Sequence, residues 1–329
     1  MKLGELTERL FIEGVLRPYL GKRPPLSRLG FPDDAVDFLP LAPRIVASVD
    51  AASIKGVKLP WRSLEDAAWA IATGAVSDHV AKGSRPAYAL VSLGLSPDLD
   101  LSDAEAIVRG LSEAFKHYGV SWVGGDTNSS GDPWVSVTMI GFTTAKRPPP
   151  RSGARPGDAV VVTGRYGAMG YVALRGVEEA SRTAWVVEKT RRPLVDVRVG
   201  TVIALNYKSV HASMDVSDGL GFTMMEIARL SGVGLRVERP PPVFKEVYEL
   251  CEGRLECLYE LSLNGGEEYG VVMTVSKEGL GEVVEDLESY GVEYEVVGEV
   301  VEGSGLKLEG VDRVAIYGWD QFGGYVKSA

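Results

Sequence analysis

A stretch rich in proline, glycine and charge, KRPPPRSGARPGD at residues 146–158, interrupts the chain close to its middle. Such a segment cannot belong to a packed core, because proline and glycine break helices and strands and the charged groups need water. We therefore predict a domain boundary here, with one domain over residues 1–147 and a second over residues 148–329. A chain of 329 residues, 45% of them hydrophobic, is long enough for two domains of medium size.

Strand-like and helix-like segments alternate on both sides of this boundary, as is typical of α/β domains. In the first half we predict a buried strand at 45–49, a helix starting with a capping box at 63–66, a strand at 88–95, a helix starting with a second capping box at 102–105 and ending at Gly119, and a strand at 135–143. In the second half we predict strands at 159–163, 269–275, 293–300 and 313–317, and a helix capped by Asp218 that buries Leu220, Met224, Ile227 and Ala228.

Composition and charge argue against several classes of protein. A net charge of −10 disfavours a general nucleic-acid binder, since Lys and Arg clusters hold phosphate backbones. No uncharged apolar run reaches the roughly 18 residues of a membrane span, and charges interrupt the first 20 residues, so we expect a cytoplasmic protein with no membrane or nucleic-acid partner. Cys251 and Cys257 lack the spacing of a zinc site, and we expect them to be reduced thiols.

Acidic residues recur at the predicted ends of strands and starts of helices. They lie in five segments: Asp33-Asp34, Asp50, Asp78, Gly124-Gly125-Asp126-Thr127 and Asp215-Val-Ser-Asp218. Each segment alone is more simply a helix cap or a turn. Together they indicate magnesium-dependent phosphate chemistry, because carboxylates repel ATP whereas Mg²⁺ binds carboxylate and phosphate oxygens alike. The glycines before Asp126 would let backbone amides approach a phosphate.

Other phosphate-binding signatures are absent or ambiguous. The sequence contains no GxxxxGK[ST] loop and no HRD or DFG set of the protein kinases. Residues 164–170, GRYGAMG, resemble a phosphate loop after a strand, but a flexible strand-to-helix turn explains them equally well, so we leave them out of the predicted site.

Seven motifs, read in order, resemble the thiamine-monophosphate kinase family over nearly the whole chain. They are SVD ending at Asp50, SDHVAKGSRP at 77–86, GGDT at 124–127, RSGARPGD at 151–158, SMDVSDGL at 213–220, GGEEYG at 265–270 and GWDQF at 318–322. The family belongs to the superfamily of aminoimidazole ribonucleotide synthetase. The resemblance implies an α/β (α+β) fold of two such domains, the N-terminal one dimerising to give a homodimer. It also implies ATP-dependent phosphorylation of thiamine monophosphate to thiamine diphosphate with several magnesium ions.

The resemblance further implies a set of site residues. The magnesium ligands would be Asp33, Asp34, Ser48, Val49 through its carbonyl, Asp50, Asp78, Asp126, Asp215 and Asp218. The ATP contacts would be Gly125, Asp126, Arg151 and Ser217, and the substrate contacts would be Val57, Glu267, Glu268 and Trp319. Asp50, Asp126 and Asp218 would be catalytic, and Trp319 would stack on a flat cationic ring of the substrate.

Three positions depart from the family pattern. The chain has Pro32-Asp33-Asp34 in place of GDD, GGEE at 265–268 in place of GGED, and Val57, followed by Lys58, where the family commonly has His. We interpret His79, His117 and His211 as structural, because the attacking phosphate oxygen is already ionised and needs no base.

Two alternatives to this function remain. One is another ATP-dependent synthetase or dehydratase of the superfamily, which the absence of Cys before residue 251 and the GWDQF motif disfavour. The other is a non-catalytic relative that binds nucleotide or metal.

Overall fold

The computed structural model describes residues 1–29, 35–312, 314–320, 322 and 324–327. The chain divides into two compact units, unit 1 with Met1–His79 and Arg85–Thr143, and unit 2 with Val80–Ser84 and Thr144–Ala329. The short segment Val80–Ser84 belongs to unit 2, although it lies far upstream of the proline-rich stretch. The exact domain boundary after residue 147 stays a prediction.

Unit 1 is built around a four-stranded sheet with strand order β1-β4-β2-β3. Its strands are β1 (Arg44–Ser53), β2 (Arg85–Leu95), β3 (Ser121–Ser129) and β4 (Trp134–Thr143). Strands β2 and β3 are parallel, and the other two pairs are antiparallel. Its helices are α1 (Glu8–Phe11), α2 (Ile54–Val57), α3 (Leu64–Ala81), whose last turn enters unit 2, and α4 (Leu101–Tyr118), with short 3₁₀ and π-helical turns at Leu3–Glu5, Ile12–Leu16 and Arg17–Tyr19.

The two long helices follow from their caps and apolar faces. The capping box at the start of α3 is confirmed, since Ser63 N donates to the Asp66 carboxylate at 3.2 Å and Asp66 N donates to Ser63 Oγ at 3.1 Å. The second capping box is wrong, because α4 begins at Leu101 after Asp100 and Ser102 lies inside the helix. Its buried face is as predicted, and it ends at Gly119 with φ 68°.

Strand β1 is not buried, contrary to the prediction. The side chains of Ile45 and Val49 are 48% and 65% exposed. Exposed and intermediate residues alternate along β1, so one face of this edge strand is uncovered within the described part of the chain. A short apolar run predicts a strand well, but it does not reveal which faces the rest of the chain covers.

Unit 2 contains a six-stranded sheet of order β10-β7-β9-β5-β8-β6 and a separate pair, β11-β12. The strands are β5 (Ala159–Thr163), β6 (Val210–Asp215), β7 (Gly234–Val237), β8 (Val271–Val275), β9 (Tyr294–Val301), β10 (Gly305–Leu308), β11 (Tyr317–Asp320) and β12 (Gly324–Lys327). The helices are α5 (Ala168–Arg175), α6 (Val177–Ser181), α7 (Ala184–Arg191), α8 (Val197–Leu205), α9 (Leu220–Ser231), α10 (Lys245–Cys251), α11 (Leu255–Leu263) and α12 (Leu280–Ser289).

Helix α9 carries much of the unit 2 core. The predicted face of Leu220, Met224, Ile227 and Ala228 is buried against sheet residues that include Val160, Val162, Leu235 and Val272. The predicted cap is wrong, since the residue before the helix is Gly219, with φ 120°, and not Asp218. The strand predicted at 313–317 is also wrong: Arg313 lies outside the described residues, residues 314–316 are irregular, and only Tyr317 is in a strand.

The two cysteines form a disulfide, which corrects the expectation of reduced thiols. Cys251 ends α10 and Cys257 lies in the first turn of α11, with 5.5 Å between their Cα atoms. The short turn between the helices produces this proximity, and the sequence spacing alone does not reveal it. None of the helices formed by the described residues has the length and apolarity that crossing a membrane requires.

Candidate functional site

In unit 2, backbone hydrogen bonds hold three of the predicted site segments together. In the segment between β6 and α9, the Ser217 carbonyl accepts a hydrogen bond from Glu267 N at 2.8 Å. In the same segment, the Asp218 carbonyl accepts a hydrogen bond from Trp319 N at 3.1 Å. The structure therefore brings Ser217, Asp218, Glu267 and Trp319 into one neighbourhood, although they are up to about 100 residues apart in sequence.

Two glycines allow this close packing. A Cβ on Gly266 would overlap the carbonyl oxygen of Ser217. A Cβ on Gly219, which has φ 120°, would lie 3.2 Å from the carbonyl oxygen of Gly265. The glycines of the SDGL and GGEE motifs are thus required by the contact between the two motifs.

Glu268 has a role that the sequence did not indicate. Its carboxylate accepts from the backbone N–H groups of Gly167, Ala168 and Met169 at 3.1, 2.8 and 3.1 Å, at the start of α5. Burial raises the pKa of Glu268 to about 8, while the three hydrogen bonds act in the opposite direction. The loop at 164–170, which resembled a phosphate loop, thus binds a carboxylate of the chain itself.

Glu268 lies between two residues with unusual backbone geometry. Glu267 and Tyr269 have φ of 58° and 42°, in the left-handed region that non-glycine residues rarely adopt. Such residues cost roughly 1–3 kcal/mol each and persist only where neighbouring contacts fix them. Here Glu268 anchors the loop from one side and the Ser217 carbonyl from the other.

Asp215 and Arg151 lie at the edge strand β6. Asp215 is 3% exposed, and its carbonyl accepts from Thr223 Oγ1 at 3.1 Å. The backbone next to Arg151 is tied to β6 because the Pro150 carbonyl accepts from Ser213 N at 2.9 Å. Asp215 is thus the last residue of β6, and the residue before Arg151 lies beside Ser213, two positions earlier in that strand.

In unit 1, Asp50 and Asp126 lie on opposite faces of the sheet. Paired residues of neighbouring strands share a face, and Asp50 pairs with Val137, which in turn pairs with the buried Val91. Asp126 pairs with Ser92, the residue after Val91, and so belongs to the other face. The two strands are also three spacings apart, about 14 Å. Unit 1 therefore does not bring these two aspartates together.

Helices α3 and α4 cover the face that carries Asp50. Phe115 of α4 packs edge-to-face on Trp122, and the backbone of Met139, which pairs with Ser48, is a hydrogen-bond partner of His79 on α3. Asp78, partly exposed, precedes His79. Ser48 Oγ is buried and makes no hydrogen bond within the described part of the chain.

The open face carries Asp126 and a groove of 610 Å³. Asp126 is exposed and accepts from Asn128 Nδ2 at 2.7 Å. Gly125 also lines this groove, but its lack of a side chain has a packing reason, since a Cβ there would overlap the carbonyl oxygen of Val91. We call this cavity the unit 1 groove.

Val57, at the position where the family commonly has His, ends the short helix α2. Its carbonyl accepts from Nη1 of Arg62 at 2.8 Å, and Arg62 is 2% exposed. An alkyl side chain cannot supply the hydrogen bonds of an imidazole. A substrate contact of Val57 stays a prediction.

The three histidines have surroundings typical of structural residues. His79 is fully buried, and burial lowers its pKa to about 4. His117 packs on Trp69 with 5.3 Å between ring centroids. His211 Nδ1 lies 2.9 Å from the carboxylate of Asp158.

The predicted magnesium ligands do not form a ready-made carboxylate cluster. In the described ranges, no three His, Cys, Asp or Glu side chains are grouped closely enough to hold a metal ion. Asp33 and Asp34 lie outside those ranges. The donors are nevertheless all oxygens, and Mg²⁺ commonly binds one or two carboxylates together with substrate phosphates. The donor chemistry, with the unbonded Ser48 Oγ, therefore fits magnesium.

Comparison with known proteins identifies the class. Residues 33–143 match AIR synthase related protein, N-terminal domain, and residues 155–311 match AIR synthase related protein, C-terminal domain. Fold and site thus define a two-domain α/β protein of the AIR synthase related class, which confirms the predicted fold class.

Individual relatives narrow this class. The chain is 32% identical to thiamine-monophosphate kinase from Pyrococcus horikoshii over 79% of this chain and 80% of that protein. The crystal structure of thiamine-monophosphate kinase from Stenotrophomonas maltophilia K279a superposes with a TM-score of 0.74 at 25% identity, covering 86% of this chain and 91% of that one. AaThiL complexed with AMPPCP and TMP superposes with a TM-score of 0.70 at 28% identity, covering 84% and 87%. The chain belongs to the thiamine-monophosphate kinase family.

Proposed function

We propose that the protein transfers the γ-phosphoryl group of ATP to thiamine monophosphate, giving ADP and thiamine diphosphate. The observation that carries the proposal is the similarity, over most of both chains, to AaThiL in complex with AMPPCP and TMP. AMPPCP is an ATP analogue and TMP is thiamine monophosphate, so that complex contains the proposed acceptor and a stand-in for the proposed donor. The family membership supports the same reaction.

The reaction requires that the two phosphorylated reactants be aligned and that their negative charge be neutralised. A phosphate oxygen of thiamine monophosphate forms a bond to the γ-phosphorus, and the bond from that phosphorus to the bridging oxygen of ADP breaks. The attacking oxygen is already ionised, so no side chain has to accept a proton. The chain must hold two anionic groups in line, which accounts for a site without a histidine base.

We propose that the magnesium-binding residues are Ser48 and Asp50 on the helix-covered face of the unit 1 sheet, Asp78 on α3, Asp126 on the open face, and Asp215 and Asp218 in unit 2. The backbone carbonyl of Val49 and the side chains of Asp33 and Asp34 would complete the set. Bound Mg²⁺ would neutralise phosphate charge during the transfer. The positions of the carboxylates would determine where Mg²⁺ binds, and therefore where the phosphate charge is neutralised. Arg151 would contact ATP through its permanently charged guanidinium group. Ser217 would contact ATP through its hydroxyl group, and Gly125 through its backbone.

The organic part of the substrate would lie against Trp319. Trp319 is 38% exposed, and its backbone is anchored to the Asp218 carbonyl, so an accessible indole is carried on a fixed stretch of backbone. A thiazolium cation is attracted to an indole face and to a nearby carboxylate. Glu267, next to Ser217, supplies the carboxylate. Glu268 would support this contact by holding the loop.

We also propose a homodimer. Ile45 and Val49 expose apolar side chains on the edge strand β1, and such side chains are commonly covered in an oligomer. A cytoplasmic location remains a prediction.

A coupled assay of ADP release tests the reaction. With ATP and Mg²⁺, we expect ADP release that depends on thiamine monophosphate and is matched by thiamine diphosphate formation. Unphosphorylated thiamine is the control acceptor and should give no release. Absence of turnover with thiamine monophosphate, in a folded protein that binds ATP, would favour the non-catalytic alternative.

A further inference from the structure

The unit 1 groove contains a guanidinium nitrogen, Arg23 Nη1, that has no hydrogen-bond partner among the described residues. Arg23 lines the groove, and its Nη1 is shielded from solvent and makes no hydrogen bond within the described part of the chain. A guanidinium group stays charged in a protein, and an N–H group that is shielded from water without an acceptor costs free energy. An anion supplied from outside would remove that cost.

The acidic residues of the same groove already accept hydrogen bonds from neighbouring side chains. Glu8 accepts a hydrogen bond from Thr127 Oγ1, and Asp126 accepts one from Asn128. Both carboxylates would repel an anionic ligand. Arg23 is therefore the group in the groove that can attract such a ligand, and a guanidinium matches the geometry of a phosphate.

The rest of the groove fits an organic group. Its volume of 610 Å³ is within the range of small-molecule sites, and Ile12, Leu16, Phe38 and Leu90 contribute apolar walls. The ligand that such a groove suits carries a phosphate at one end and a flat or apolar part at the other.

We propose that Arg23 binds a phosphate group of ATP, whose organic part lies on the apolar wall of the unit 1 groove. The proposal rests on the proposed function, because ATP has this chemistry and the organic part of thiamine monophosphate is placed against Trp319. It adds Arg23 to the site, from a segment that carries none of the recognised motifs.

Binding measured by calorimetry tests the assignment without requiring turnover. The probes are thiamine monophosphate, thiamine and AMPPCP, each with Mg²⁺, against the wild-type protein, Arg23→Gln, Arg23→Lys and the control Arg28→Gln. Arg28 is exposed on the same N-terminal segment and does not line the groove. We expect Arg23→Gln to weaken AMPPCP binding by about 10-fold or more, Arg23→Lys to weaken it less, and Arg28→Gln to have no effect.

The pattern across probes decides the result. A loss for AMPPCP with unchanged binding of thiamine monophosphate supports the proposal, and a loss for thiamine monophosphate with unchanged AMPPCP binding would overturn it. Equal losses for thiamine and its phosphate, unchanged binding of both phosphorylated probes, or a wild-type protein that binds neither would overturn the proposal. Melting temperatures of the variants show whether a loss comes from unfolding. Wild-type binding without ADP release would instead defeat the proposed function and leave the Arg23 assignment standing.

Discussion

The acidic segments of the two units are held in different ways. In unit 2, the segment carrying Ser217 and Asp218 is fixed by backbone bonds to two distant motifs, and glycines make the packing possible. In unit 1, Asp126 is exposed on a strand and its carboxylate has a short-range partner in Asn128. If both segments take part in the reaction as proposed, Asp126 serves chemistry with little structural role, whereas the unit 2 motifs serve chemistry and packing together.

The sharpest test of the unit 1 side of this comparison is Asp126→Asn. The amide is a weaker magnesium ligand and lacks the charge, but it keeps an acceptor for Asn128, so the fold should persist. We expect kcat to fall about 100-fold or more with a melting temperature close to that of the wild type.

The matched control is Asp132→Asn, an exposed aspartate in the turn after β3, which should leave kcat unchanged. Steady-state ADP release and thermal unfolding measure both effects. Near wild-type turnover of Asp126→Asn at saturating Mg²⁺ would remove this residue from the site.

The second test concerns packing in unit 2. Gly266→Ala adds a Cβ that overlaps the Ser217 carbonyl, so the two motifs must separate. We expect the free energy of unfolding to fall by about 2–3 kcal/mol, in the range for steric disruption of a packed site. In Gly281→Ala, on α12, the added Cβ meets no heavy atom within 4 Å, and stability should be unchanged or slightly higher. Denaturant unfolding gives the free energy of unfolding of both variants. Equal values would mean that the contact between the two motifs is not tight.

Much of the fold could be predicted because its signals are local. The capping box at Ser63, the apolar face of α4 and the buried strand β5 follow from neighbouring residues alone. The exposure of β1 and the pairing of Cys251 with Cys257 depend on which distant segments come together, and nothing local encodes that.

The site shows the same limit. The resemblance supplied candidate residues, but it did not indicate that Asp50 and Asp126 occupy opposite faces, since a register is set by strand pairing over the whole sheet. The role of Glu268 at the start of α5 was also missed. The glycine-rich turn at 164–170 was the signal that a helix N-terminus would need a hydrogen-bond acceptor, although that acceptor lies about 100 residues away in sequence.

The third test uses the titration of Glu268. Its pKa is raised to about 8 in the folded protein from an ordinary value of 4.5, so the folded state holds the proton more tightly. Its contribution to stability is then fully present below pH 4.5 and is lost as the pH rises through 8. Between pH 5 and 8, the wild type should lose more free energy of unfolding than Glu268→Gln, by on the order of 1–2 kcal/mol given the partial exposure of the side chain.

Glu267→Gln is the control for that test, being the same change one residue earlier. It should follow the wild-type pH dependence. Unfolding free energies at pH 5, 6.5 and 8 supply the comparison, and parallel curves for the wild type and Glu268→Gln would show that this carboxyl group is ionised throughout the range.

The smallest expected effect, and the one that separates chemistry from packing within unit 2, is that of Trp319→Ala. If the indole stacks on the thiamine rings, its removal should raise the KM for thiamine monophosphate several-fold to tens-fold and leave the KM for ATP unchanged, since stacking on a cation contributes roughly 0.5–2 kcal/mol. The backbone bond from Trp319 N to the Asp218 carbonyl does not involve the side chain, so the loop should keep its position. A packing role would instead lower the melting temperature and weaken both substrates together. Both KM values and the melting temperature are therefore measured on the same preparation. An unchanged KM for thiamine monophosphate in a folded variant would exclude Trp319 from the substrate site.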